Sequence, residues 1–311
     1  MRAAVIHETG AAPTFDQFPD PRPGPGVAVG TVVAAALNPL DLTIVNGQFP
    51  LRRFQPPYVA GYEAVVQLED GTRRYVTDPP APYGTLAEFV PVLDAVGFPV
   101  PDDLAPGLAV ALGTTGIVGW AALEYRGQLQ PGETVLVIGA GGLAGQLAMQ
   151  SARILGAGRV VGAARGEALR QAADHGADAV VDLADDQDIA AGLTAAAPRG
   201  YDVIIDFLWG AAAPHAISQA NVGARYVQVG SSADPTATIA APDIRNSLLT
   251  LVGHGLFRTP TEVRRSAYEQ LVQHASEGRL SLELEQTRLE DISQVWERLK
   301  NGSPRKLVVT P

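Results

Sequence analysis

The stretch Thr134-Val-Leu-Val-Ile-Gly139-Ala-Gly141-Gly142-Leu-Ala-Gly145-Gln-Leu-Ala-Met-Gln150 decides how this chain is read. An apolar, β-branched run enters a cluster of glycines, and an apolar-periodic helical segment follows at once. Glycine lets the backbone turn sharply and approach a ligand, while a helix N-terminus presents N–H groups and a partial positive charge. A dinucleotide pyrophosphate needs that arrangement of strand, turn and helix. The spacing reads either as Gly139-x-Gly141-x-x-Ala144 or as Gly139-x-x-Gly142-x-x-Gly145. The candidate cofactor-binding residues are therefore Gly139, Ala140, Gly141, Gly142, Leu143, Ala144 and Gly145. A glycine-rich turn that holds some other ligand at the same crevice is the alternative.

Moving outward, the next apolar run, 160–163, ends in Ala163, Ala164 and Arg165. NAD-binding proteins usually carry an acidic residue there, about twenty residues past the glycines, to bind the ribose 2'-hydroxyl. Here no carboxylate opposes a 2'-phosphate and a guanidinium is within reach, so NADP(H) is the expected cofactor, with a solvated loop arginine as the bland reading. Further apolar runs at 179–181, 203–206, 226–229 and 249–253 are separated by helix-length sequence. That alternation predicts a parallel, doubly wound sheet covered on both faces. Before residue 113 the texture is different: apolar runs such as 27–37 and 58–68 are broken by Pro-Gly and Asp-Gly pairs, which predicts short strands and tight turns. Helices are expected at 262–277 and 290–300 and a last strand at 306–310, with this tail packing back on the first domain. The expected division is 1–112 with 259–311, and 113–258.

Composition narrows the function classes. The chain has 311 residues, 46% hydrophobic and 18% charged, which is ordinary for folded proteins. Its 33 acidic and 23 basic side chains give a net charge of -10, which repels nucleic acid and anionic membrane surfaces. With no cysteine, thiolate zinc sites, iron–sulfur clusters and a cysteine nucleophile are excluded. The stretches 104–123 and 134–152 lack charge but are rich in glycine, threonine or glutamine, so they read as core strand, turn and helix rather than membrane spans. The N-terminal residues lack the apolar run of a secretory signal, so a cytoplasmic location is expected. The five histidines stand at no metal-ligand spacing and read as structural or exposed.

Several further segments carry a family resemblance. Asn38-Pro-Leu-Asp41, Pro57-Tyr-Val-Ala-Gly61-Tyr62-Glu63, Gly84-Thr-Leu-Ala87-Glu88-Phe89 and Gly113-Thr-Thr-Gly116 precede the glycine turn, and Leu155-Gly156-Ala157, Asp202-Val203 to Asp206 and Val229-Gly230 follow it. In this order they resemble the medium-chain dehydrogenase/reductase superfamily, in its zinc-independent quinone oxidoreductase-like branch, over essentially the whole chain. The resemblance implies an α/β fold: a GroES-like partly open β-barrel domain plus a Rossmann cofactor domain, with the active site in the cleft between them. It also implies a homodimer and adds Gly230 to the cofactor-binding residues. In zinc-dependent relatives the middle residue of the Gly-x-Glu segment is histidine; here it is Tyr62, and a catalytic metal is not expected. Two departures stand out: a loop between 66 and 76 shorter than the family's, and Val118 where a threonine is common.

Without a Lewis acid, an alkoxide is poorly stabilised and simple alcohol oxidation is disfavoured. Hydride addition to a quinone or an enone gives a delocalised anion that hydrogen bonds and one proton can quench. The expected function is thus NADPH-dependent reduction of a small conjugated carbonyl or quinone, with Tyr62, Asn38, Asp41 and Thr115 as candidate polar residues. Each has a structural alternative, in capping, backbone satisfaction or packing. Two other functions stay open. An enoyl thioester reductase would want a basic groove, for which Arg52-Arg53 and Arg73-Arg74 are available; an NADPH-binding protein without turnover would keep only the glycine turn.

Overall fold

A computed structural model describes residues 1–93 and 97–311. The chain forms two compact units, Met1–Thr114 with Tyr268–Pro311, and Thr115–Ala267.

The first unit is built on strands β1 (Arg2–Ile6), β2 (Thr14–Gln17), β3 (Val27–Ala36), β4 (Tyr58–Val59), β5 (Glu63–Gln67), β6 (Arg73–Thr77), β7 (Phe89–Leu93) and β8 (Phe98–Pro99). The apolar run at 58–68 is divided into β4 and β5 around Gly61, whose φ of 100° no β-branched residue adopts comfortably. Two short helices interrupt the strands, α1 (Pro39–Val45) and α2 (Pro106–Ala111). The proline density of this region predicted turns, yet both helices begin with proline, whose fixed φ and missing N–H suit a first helical position. The remaining elements come from the chain's last part. They are β15 (Leu284–Arg288), α10 (Ile292–Lys300) and β16 (Lys306–Thr310). One sheet runs β15-β16-β3-β5-β6-β8 with β7 also on β3, and a second runs β2-β1-β4. All pairs are antiparallel except β15 with β16. Their core includes Ala4, Val66, Val90 and Leu307, closed by Ile292, Val295 and Trp296 of α10.

The second unit begins within α3 (Thr114–Ala121), which continues as a π turn, Ala122–Arg126, and is followed by β9 (Thr134–Ile138), α4 (Leu143–Ile154), β10 (Arg159–Ala164), α5 (Ala168–Asp174) and β11 (Ala179–Asp182). Then come α6 (Asp186–Ala196), β12 (Tyr201–Asp206), α7 (Ala212–Ser218), β13 (Ala220–Gln228), α8 (Ala241–Ser247) and β14 (Thr250–Gly253). A last helix, α9 (Thr261–Ser276), contains the boundary at Ala267. The six strands are all parallel in the order β11-β10-β9-β12-β13-β14. The chain leaves β9 toward β10 and later returns to β12 on the other side, so the order reverses at β9. In doubly wound sheets the ligand crevice opens at such a reversal, beyond the strand C-termini. Separate apolar clusters cover the faces, Leu136, Ile138 and Ile204 in one and Val135, Val137 and Ile205 in the other. This is the parallel α/β arrangement that the alternating runs predict.

Candidate active site

The glycine turn lies at the C-terminal end of β9. Gly139 has φ of 90°, and its N–H and that of Ala140 both bond the Ala163 carbonyl, at 2.9 and 3.1 Å, tying the turn to β10. A Cβ on Gly145 would fall 2.3 Å from the Gly139 carbonyl oxygen, so only glycine lets α4 approach the turn this closely. At Gly141 the space belongs to the chain itself, because a Cβ there would overlap Ala168 at 2.2 Å. Gly142 is different: it is exposed, and a Cβ would meet nothing nearer than 3.4 Å. The packing thus excludes a side chain at Gly141 and Gly145, while Gly142 faces open space. Gly142 is also the N-cap of α4 and supplies no capping side chain, so the first-turn N–H groups, including those of Leu143, Ala144 and Gly145, are oriented for an anion.

Arg165 follows β10 directly and is exposed, while Ala164 before it is buried. Its Nε donates to the Leu183 carbonyl at 2.7 Å, which fixes the guanidinium at the strand end. The Arg165–Ala168 turn is the one packed on Gly141, so the arginine and the glycine turn are neighbours. Gly230 comes after β13, where a Cβ would stand 2.7 Å from the Phe207 carbonyl oxygen. These residues fit a dinucleotide cofactor.

The first unit holds a buried polar cluster centred on Glu63, whose side chain is fully buried. Its Oε1 accepts from Asn38 Nδ2 at 2.7 Å and Thr114 Oγ1 at 3.0 Å; Oε2 accepts from Tyr75 OH at 2.6 Å and Thr114 N at 2.8 Å. Lys306, also buried, pairs with Glu63 at 3.5 Å and donates to Asn38 Oδ1. Gly113 is required beside them, since a Cβ there would come within 2.5 Å of Tyr75 and Glu63. Burial of Tyr75, with the Glu63 carboxylate beside it, pushes its phenol pKa well up, and burial pulls the Lys306 ammonium down against the attraction of Glu63 and Asp41.

Asn38 is the N-cap of α1, and the Asp41 carboxylate accepts its backbone N–H at 2.8 Å in a capping box. The other Asp41 oxygen, Oδ1, is buried without a hydrogen-bond partner among the described residues. Burial, reinforced by the charge of Glu63, lifts the Asp41 pKa to about 7, so this carboxyl exchanges a proton near neutrality. Tyr62 is buried, with the Arg52 guanidinium 5.7 Å from its ring centre. Thr115 is buried in the second unit, whereas its neighbour Thr114 is the threonine that joins the Glu63 cluster.

Sequence reasoning did not name Glu63, Tyr75, Thr114 or Lys306 as site residues. A signal existed for Lys306: one of only two lysines in the chain, it opens an apolar strand. The Arg52-Arg53 pair does not form a surface groove. Arg52 is buried, stacked 4.5 Å from the Phe54 ring centre, paired with Asp78 at 2.9 Å, and bonded to the Tyr83 carbonyl at 3.0 Å, so only Arg53 remains exposed. The depression holding Arg73 and Arg74 also holds Asp70 and Asp102, which offset their charge. His254 is buried, and desolvation lowers its ring pKa to about 4. Among the described residues no group of three or more His, Cys, Asp or Glu is placed to hold a metal, and no helix is long and apolar enough to cross a membrane.

Comparison with known proteins gives the following. Residues 144–277 match the zinc-binding dehydrogenase family. Over 269 residues the chain is 28% identical to a phenolphthiocerol/phthiocerol polyketide synthase of Mycobacterium tuberculosis; this is 81% of the chain, but the chain spans only 12% of that relative's length. It is 32% identical to bovine prostaglandin reductase 1 over 191 residues, 58% of this chain and 57% of that protein. Among solved structures, the quinone oxidoreductase of Thermus thermophilus, also solved in complex with NADPH, superposes with a TM-score of 0.84 at 28% identity over the full length of both chains.

Proposed function

We propose, since the chain belongs to the medium-chain dehydrogenase/reductase superfamily and within it to the quinone oxidoreductase-like branch, that it is an NADPH-dependent reductase of a small conjugated carbonyl compound, a quinone or an enone. The observation that carries this reading is the uncapped glycine turn with Arg165 fixed beside it. The N–H groups of the first turn of α4 would hold the pyrophosphate, and Arg165 would meet the 2'-phosphate. When bound, a reduced nicotinamide supplies a hydride. As hydride reaches the acceptor, negative charge moves to its oxygen, and what the chain must contribute is a hydrogen-bond donor and one proton. Tyr62 carries a phenol suited to the first role, and Asp41, titrating near pH 7, is suited to the second. Asn38 and Glu63 hold Asp41's helix in place. A cytoplasmic homodimer completes the reading.

Enoyl thioester reduction is the second reading, favoured by the similarity to a polyketide synthase over 81% of the chain. Following NADPH oxidation with quinones, enones and enoyl thioesters separates the two. Turnover of quinones or enones at least tenfold faster than thioesters is expected; thioester preference reverses the assignment, and cofactor binding without turnover of any acceptor removes the enzyme.

A further inference from the structure

Among the described residues four that are not glycine adopt left-handed φ values: Asp78, Gln128, Trp209 and Leu248. Trp209, at 60°, follows β12 by three residues, and a bulky side chain holds such a conformation only where its surroundings enforce it. The enforcing group is Asp206, fully buried at the end of β12. Its Oδ1 accepts from Leu208 N at 2.7 Å and Trp209 N at 2.9 Å, and Oδ2 accepts from the Tyr226 hydroxyl. The Tyr226 ring meets the indole edge-on, 5.9 Å between centres at 79°. Burying a carboxylate is unfavourable unless it is bonded, and here two of its three donors are backbone N–H groups of one loop and the third is the β13 tyrosine.

That loop lies against the glycine turn. A Cβ on Gly139 would be 3.2 Å from both Leu208 Cγ and Phe207 Cβ. On its other side Ser232 Oγ donates to the Phe207 carbonyl at 3.2 Å and Ala233 N to the Leu208 carbonyl at 3.0 Å. In the sheet β10, β9 and β12 are consecutive neighbours, so Arg165, the glycine turn and Trp209 follow one another across the strand ends. A dinucleotide with its 2'-phosphate at Arg165 and its pyrophosphate on the turn carries its nicotinamide riboside toward β12.

We infer that Trp209 is a wall of the dinucleotide site, held by Asp206 where its indole packs on the nicotinamide riboside. This rests on the NADPH reading above. The test uses the chain's own fluorescence. Of its three tryptophans, Trp120 and Trp296 are buried and Trp209 is partly exposed, so acrylamide quenching reports on Trp209. NADP+ and nicotinamide mononucleotide should each lower the quenching constant about twofold or more, and adenosine 2',5'-bisphosphate should not, as stacking on an indole requires a ring beside it. Trp209→Phe should abolish the accessible emission.

Trp209→Gly, in which glycine tolerates the same φ, should keep the fold, with a melting temperature lowered by the packing lost against Tyr226 and its cluster. It should raise the Kd for NADPH about three- to tenfold by calorimetry, leaving adenosine 2',5'-bisphosphate within about twofold. NADP+ that binds without shielding Trp209, a bisphosphate that shields it equally, or a variant that weakens both ligands alike overturns the inference. If the folded chain binds no NADPH by calorimetry, the underlying reading falls first and takes this one with it.

Discussion

The two units bury their polar atoms in opposite ways. In the first, the cluster is made of side chains: Glu63, Asn38, Tyr75, Thr114 and Lys306 share one carboxylate and one ammonium out of water. In the second, the candidate ligand site is backbone, and what shapes it is the volume withheld at Gly139, Gly141 and Gly145. A site of charged side chains responds to loss of a charge or to pH. A site of backbone N–H groups responds to an added methyl group. Four effects separate these responses.

The largest effect belongs to Lys306→Met. It leaves Glu63 buried opposite an apolar chain, and breaking a buried pair from one side typically costs about 3–5 kcal/mol. Thermal or urea denaturation measures it. Adding Glu63→Gln should recover part of the loss, because the amide retains an acceptor for its donors without the orphaned charge. A single variant as stable as the parent would show that the pair is not a working part of the cluster.

Gly145→Val comes next. Its Cβ would stand 2.3 Å from the Gly139 carbonyl oxygen and 2.7 Å from Ala140 Cα, both backbone, so α4 or β9 must shift. Overpacking of this kind costs about 3 kcal/mol and should displace the first-turn N–H groups enough to abolish measurable NADPH binding. Gly142→Ala is the contrast: with φ of -72° and no contact under 3.4 Å, it should change stability by less than about 1 kcal/mol. Equal losses from both variants would mean that crowding at the turn does not depend on these contacts.

The third effect is a pH dependence. Asp41 has its pKa raised to about 7 from the ordinary 3.8, so between these values the native state keeps a proton that the unfolded chain has lost. Stability from this group is complete below about pH 4 and declines, on the order of 1 kcal/mol per pH unit, as pH rises toward 7. His254 runs the other way: its lowered pKa gives stability that is present above 6.5 and lost as pH falls toward 4. The difference between wild type and Asp41→Asn cancels the histidine. Chemical denaturation at pH 5 and 7 should show that difference changing by about 2 kcal/mol in favour of the variant at the higher pH.

The same contrast explains what the sequence made legible. The strand expected to enter the glycines spans Thr134–Ile138, and the helix expected to follow them begins at Leu143, because glycine identity and apolar period are local. Strand β13 was harder: it was expected at 226–229 and runs Ala220–Gln228, since its register shifts between Tyr201/Ala220 and Val203/Arg225 and polar residues break the pattern. The Glu63 cluster had no local signature. Lys306 and Asn38 are 268 positions apart, and only the pairing of β16 with β3 and of β3 with β5 brings that end of the chain to Glu63. Asn38 and Asp41 were visible as a capping pair with chemical potential, but not the carboxylate they sit beside.

The smallest effect tests the one side-chain charge assigned to the backbone-built site. Arg165 is exposed, so its attraction for a 2'-phosphate is screened by water and salt, and Nε is already committed to the Leu183 carbonyl. What remains for a ligand is the outer edge of the guanidinium, enough for a charge-assisted pair of about 1 to 2 kcal/mol. Wild type should therefore bind NADPH more tightly than NADH, and Arg165→Ala should narrow the gap by roughly 5- to 30-fold, entirely through NADPH. Raising the salt concentration should narrow it in wild type as well, and should do nothing further in the variant. Titration calorimetry of both cofactors with both proteins at two ionic strengths measures all of these terms. Equal affinity of wild type for NADPH and NADH would remove Arg165 from the site and leave the glycine turn as its sole determinant.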